Sequence, residues 1–195
     1  MCTPCRFWLV LAAIALAGCT TLTPAEQESV QDAQRFLDAT SRAYDVQKVT
    51  LMLGSAGLGD AATIRPGGLI TIGQEYLAQP DVRDTVLAHE MAHLILGHMD
   101  RPPDSRDARE QREIEADVKS VEILRRVRGM SEARAFAFVT TYVLTLKKSL
   151  DQGGRVHTMG HGHPCRKVEA LIKAYPRQQA VLDRLQADSS LGRCR

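Results

Sequence analysis

The spacing of apolar and polar residues changes several times along the chain, and each change marks an element. Phe7 to Ala17 is apolar without interruption, with Arg6 ahead of it. That is too short to span a bilayer but suits the apolar region of a secretory signal. Thr23-Pro24-Ala25-Glu26 then joins a capping Thr, a Pro at the first helical position and a Glu three residues after the cap. This predicts a helix to about Tyr44, with Val30, Phe36 and Leu37 on its apolar face. Val46 to Leu53 is rich in Val, Leu and Thr and reads as a strand closed by the Gly54 to Gly59 stretch. Arg65-Pro66-Gly67-Gly68 predicts a turn, and Leu69-Ile70-Thr71-Ile72 a short strand before Gly73. An exposed edge on that second strand would suit an extended peptide.

Helical spacing governs the rest. Asp81 is the expected cap of a helix reaching about Leu96 and stopped by Gly97, its buried side carrying Val82, Val86, Leu87, Met91, Leu94 and Ile95. Asp100 to Arg109, with Pro102, Pro103 and many charges, reads as a solvated loop. A helix follows from about Glu110 to Arg128, ended by Gly129. Ser131 caps the next, a largely buried helix through Phe136, Phe138, Val139, Val143, Leu144 and Leu146, ended by Gly153 and Gly154. Residues 155–163 form a polar, His-rich loop. Pro164 opens a helix through Ala174, and Pro176 precedes a last one to about Ala187. With no repeat and no long linker, the expected fold is a single α+β domain, mainly helical with a small sheet.

The chain has 195 residues, and its 25 Lys and Arg against 23 Asp and Glu leave a formal charge of only +2. That balance argues against a nucleic-acid partner. Leu16-Ala17-Gly18-Cys19 resembles the lipobox of bacterial lipoproteins, which implies removal of residues 1–18 and lipidation of Cys19. Thr20, where such proteins carry Asp for inner-membrane retention, implies a lipid anchor in the outer membrane, facing the periplasm. Cys2 and Cys5 leave with the signal and Cys19 is lipidated. Cys165 and Cys194 therefore remain in an oxidising compartment and are expected to pair.

His89-Glu90-Met91-Ala92-His93 is an H-E-x-x-H motif inside a segment that patterns as helix on independent grounds. Residues four apart share a helix face, so both imidazoles reach one metal while Glu90 lies beside them. A third ligand is needed. A metzincin would place Gly three and His six residues after His93, but Leu96 and Met99 stand there. On the next helix Glu113 and Asp117 are four apart, so one can bind metal while the other orients a ligating His. Glu115, Glu110 or a late His are the reserve candidates. His98 falls just past the helix end, where a cation suits the dipole.

His89, Glu90 and His93, with Glu113, Ala116 and Asp117 in an E-x-x-A-D arrangement, resemble the HtpX-like and CAAX prenyl protease family of zinc metallopeptidases. The Pro66-Gly67-Gly68 turn, the strand after it and the His163-Pro164 pair followed by Arg166 resemble further family features, over roughly residues 46 to 175. The spacing from His163-Pro164 to the basic residue is shorter than in the family, and the membrane helices of its integral members are missing. The resemblance implies a zincin-like domain over 46–195, preceded by a lipidated Cys and helix over 19–45. It also implies one zinc held by His89, His93 and Glu113, Glu90 as general base toward a zinc-bound water, and Asp117 behind the ligands. His157, His161, His163 and Arg166 are the groups available to face a developing oxyanion, with His161 and His163 also candidates to gate the metal. The implied activity is an endopeptidase acting on periplasmic proteins or peptides, in envelope quality control and near the outer-membrane assembly machinery. A client-binding adaptor with little proteolysis, and a peptidase of another kind cleaving short peptides or cell-wall cross-links, remain alternatives.

Overall fold

The computed structural model describes residues 22–54, 61–153 and 162–194. The signal segment, Cys19, Thr20, Gly154, His157 and His161 lie outside the described residues. So does most of the stretch expected to close the first strand.

Helix α1 spans Pro24–Tyr44 and opens with the expected box. The Glu26 N–H donates to Thr23 Oγ1, and Glu26 reaches back to the Thr23 N–H at 2.8 Å. Asp45 leaves the helix in the left-handed region at φ 53°. Val46 N–H then bonds Ser41 O, and Ser41 Oγ donates to Gln47 O. These bonds hold residues 46 and 47 to the helix exit, so strand β1 is only Thr50–Leu53, not the longer run from Val46.

Strand β2, Ala62–Arg65, was not anticipated. Only Thr63 and Ile64 in it are β-branched, too short a run to mark a strand by itself. It forms because the Pro66-Gly67-Gly68 turn folds it onto β3, Leu69–Ile72, with Gly67 and Gly68 at φ 91° and 77°. A side chain at Gly68 would meet Lys48 O at 2.8 Å, so this turn tolerates only glycine there. The sheet order is β1-β3-β2, with β1 and β3 parallel and β2 and β3 antiparallel. The strand at Leu69–Ile72 is therefore central, with Ile70 and Ile72 fully buried, and has no open edge for a peptide. Strands β1 and β2 form the edges.

After a short helix α2, Gln74–Leu77, helix α3 runs Pro80–Ile95. It starts one residue ahead of the expected cap: Gln79 holds the cap position, and Asp81 sits in the first turn, where its charge suits the helix dipole. Helix α4, Arg106–Arg128, also begins early, because Ser105 caps it by accepting from the Ala108 N–H. The first turn of α4 thus replaces the end of the expected loop. Helix α5, Glu132–Asp151, starts at the expected Ser131 cap. Helix α6, Pro164–Ala174, a 3-10 turn at Pro176–Gln178 and helix α7, Gln179–Ala187, complete the order. The described part is α+β, mostly helical with one small sheet.

Ala33, Phe36 and Leu37 of α1 share one core with Leu87 and Met91 of α3, Val121 and Leu124 of α4 and Phe136 and Leu144 of α5. Helix α1 is therefore part of the fold. A charged cluster ties it down: Asp32 takes ion pairs from Arg83 of α3 and, at 2.9 Å, from Arg128 of α4, and Arg128 also reaches Asp84 at 2.7 Å. A disulfide joins Cys165 of α6 to Cys194, and the Gly192 N–H bonds Leu144 O, so the tail lies along α5. Among the described residues no helix is long and apolar enough to cross a membrane.

Candidate metal centre

Helices α3 and α4 pack side by side and supply the centre between them. The helical repeat puts His89 and His93 one turn apart on α3, facing Glu113 of α4. His89 Nε2 and His93 Nε2 are 3.1 Å apart, and they lie 3.3 Å and 3.4 Å from the two carboxylate oxygens of Glu113. The three ligand atoms lie within 4.8 Å of one another, so this group could hold a metal ion. Tetrahedral bonds of ~2.0–2.1 Å to zinc place ligand atoms about 3.3 Å apart, and the observed separations fit. Two imidazole nitrogens this close repel unless a proton or a cation sits between them.

Behind the three candidate ligands, Asp117 Oδ1 accepts from His89 Nδ1 at 2.8 Å, which turns Nε2 toward the centre. Asp117 Oδ2 lies 2.8 Å from Lys167 Nζ, which is also 3.8 Å from Glu113 Oε2. Burial disfavours the charged imidazole of His89, but Asp117 and then Glu113 outweigh it and raise its pKa to about 10. Burial likewise pushes Asp117 up, and Lys167 and His89 overcome that to hold it below the usual carboxylate range. Two carboxylates and one ammonium leave this pocket one negative charge, which a proton on His89 or a bound cation would offset.

Lys167 belongs to none of the motifs in the sequence, where its neighbour Arg166 is the basic residue that stands out. A signal was present: Pro164, Lys167, Val168 and Leu171 form the buried stripe of α6, and a lysine at such a position needs a buried anion. Arg166 is instead largely exposed and pairs with Glu110 at 2.7 Å. His163 caps α6 by accepting from the Cys165 N–H, while its own N–H donates to Glu110 Oε1 at 3.1 Å. The His163 N–H, with help from Arg166, holds the Glu110 carboxyl below the usual range. The described side-chain and cap contacts of His163 and Arg166 therefore run to Glu110 and Cys165, and none reaches His89, His93 or Glu113.

His98 has a larger part than a residue past a helix end. Gly97 adopts φ 68°, the His98 N–H returns to His93 O at 2.9 Å, and the ring folds under the last turn of α3. His98 Nδ1 then lies 3.0 Å from His93 Nδ1, and His98 Nε2 lies 3.2 Å from Glu115 Oε2. One proton arrangement satisfies this chain while leaving His93 Nε2 as a ligand: Nε2–H of His98 donates to Glu115, and Nδ1–H of His93 donates to neutral His98. Burial, with the neighbouring His93, pushes the His98 pKa down and favours that neutral form. Glu115, a reserve ligand in sequence, serves here behind His98.

Glu90 is buried and accepts the Ile64 N–H of β2 on Oε2 at 2.8 Å. With His93 and Glu113 it lines a cavity of about 330 Å³, together with Ala62, Thr63 and Ile64 of β2 and with Met99, Pro103, Arg109 and Arg112. Arg112 donates to the carbonyls of His98 and Arg101, fixing the loop after α3. The arrangement joins a metal-capable triad, a carboxylate beside it and an open space of ligand size. No protein-family model matches the chain, and neither the curated proteins nor the solved structures include one significantly similar to it.

Proposed function

We propose that the chain is a zinc-dependent endopeptidase with a zincin-like domain, as its resemblance to the HtpX-like and CAAX prenyl protease family implies. The observation that carries this reading is the joint placement of His89, His93 and Glu113 at ligand separations with Glu90 on the wall of the same cavity. Zinc, when bound, supplies Lewis acidity that polarises a carbonyl and makes water more acidic. His89, His93 and Glu113 would hold it, with Asp117 and His98 aiming the two imidazoles and Lys167 balancing the carboxylates. The Ile64 N–H restrains Oε2 of Glu90, leaving Oε1 to take a proton from water and return it to the departing amine. Edge strand β2 gives an extended substrate a backbone to lie against beside Glu90. The proposed setting is the periplasmic face of the outer membrane, with Cys19 as anchor and envelope proteins as substrates.

The test is the metal content and casein hydrolysis of the mature chain beside Glu113→Ala and Glu90→Gln. The reading expects one zinc per chain, lost or sharply weakened in Glu113→Ala. It also expects Glu90→Gln to keep zinc and lose hydrolysis by about 100-fold or more. A Glu90→Gln protein that retains function in cells would favour the client-binding adaptor.

A further inference from the structure

Among the described residues, the charged groups lining the cavity are engaged, with one exception. Glu90 is held by Ile64, Glu113 faces the two histidines and Lys167, His98 bridges His93 and Glu115, and Arg112 holds two carbonyls. Arg109 lines the same cavity, is exposed, and its side chain has no hydrogen-bond or ion-pair partner among the described residues. It stands four residues before Glu113 on α4, so both project from one helix face, about 6 Å apart along the axis. That spacing is close to two residues of extended chain at ~3.3 Å each. Arg109 also lies in the first turn of α4, whose exposed N–H groups carry partial positive charge.

We infer that Arg109 is a specificity-determining residue that binds a carboxylate of the peptide occupying the cavity, about two residues from the bond lying over the metal centre. A guanidinium presents paired donors that match a carboxylate and discriminate against its amide. The carboxylate has two chemical sources, the C-terminus of a chain end or an Asp or Glu side chain within a longer peptide. This inference rests on the endopeptidase reading for its substrate class, but peptide binding alone can test it.

The experiment uses the mature chain carrying Glu90→Gln and loaded with zinc, so that peptide binds without turnover, beside the same chain with Arg109→Ala or Arg109→Glu added. Three labelled peptides of one sequence are compared by fluorescence anisotropy: C-terminally amidated and neutral, with a free C-terminus, and amidated with one Asn replaced by Asp. The expected result is binding about tenfold tighter for a carboxylate peptide. That gain is lost in Arg109→Ala and reversed in Arg109→Glu, while the neutral peptide varies by less than about twofold. A gain from the free C-terminus points to chain ends, and a gain from Asp to acidic segments. The inference is overturned if neither carboxylate strengthens binding, if no peptide binds, or if the gain survives Arg109→Ala, as it would were the carboxylate held by the metal alone. Should the zinc-loaded chain with Glu90 intact hydrolyse no casein while the Arg109-dependent gain is seen, the endopeptidase reading fails and this one stands.

Discussion

Lys167 and Asp117 form an ion pair of 2.8 Å in which each side chain is only 5% exposed. The pair lies directly behind His89. Replacing Lys167 with Met leaves two carboxylates sharing a dry pocket, and the expected loss in the metal-free chain is about 3–5 kcal/mol. Because the cost comes from uncompensated charge, adding Asp117→Asn should recover part of it. Urea unfolding of the two variants checks this, and a double variant less stable than Lys167→Met alone would contradict it.

His98→Ala should weaken zinc binding about 10- to 100-fold, through loss of the acceptor that fixes the tautomer of His93. The fold should be little affected, since His98 lies in a turn held by backbone bonds of Gly97 and His98. Competition with a chromophoric chelator measures the affinity, and circular dichroism checks the fold. Unchanged affinity would show that His93 needs no support from Nδ1.

How far the sequence disclosed this centre follows from where each signal resides. Caps, prolines and turn glycines are local, and so Thr23, Ser131 and Pro164 mark their helices directly. His89 and His93 are legible because the helix repeat sets their spacing, whereas Glu113 on the next helix is picked out from Asp117 only by the family resemblance. Strand β2 is not, since only Thr63 and Ile64 of Ala62–Arg65 favour a strand and the pairing is made with β3 across the Pro66-Gly67-Gly68 turn. The roles of Lys167 and His98 are not legible for a related reason. Each acquires its role through a partner distant in sequence or through a turn that reverses the chain, and neither residue belongs to a motif.

Acid should release α1. Burial raises Asp32, but the guanidiniums of Arg128, Arg83 and Arg35 outweigh it and leave its pKa below the ordinary 3.8. A lowered carboxyl contributes stability that is complete above the unfolded value and disappears as pH falls through the folded one. Asp32→Asn is therefore expected to cost about 2 kcal/mol near neutrality, discounted for partial exposure, and to converge on the parent chain as pH falls below 3.8. Denaturant midpoints across this range decide it; a gap that stays constant down to the lowest pH would be the contrary outcome.

Reduction should loosen the tail. Cys165 and Cys194 are 29 positions apart, a separation for which closing the loop stabilises by about 3.5 kcal/mol in the chain-entropy account. Cys194→Ser should lower the unfolding free energy by an amount of that order. The same variant should change zinc binding little, because α6 remains packed through Val168 and Leu171. Denaturation with and without reductant, alongside the chelator titration, separates the two effects.

The burial of α1 also sets a reach. A lipid at Cys19, the proposed anchor, would be separated from the first helical residue, Pro24, by four residues. Even fully extended, five such steps span no more than about 18 Å. Since α1 is fastened to α3 and α4 and cannot pay out as a flexible leash, the cavity would patrol only a shallow layer above the lipid headgroups. Chains emerging at that surface would come within its grasp, and proteins diffusing deeper in the periplasm would have to approach the membrane first.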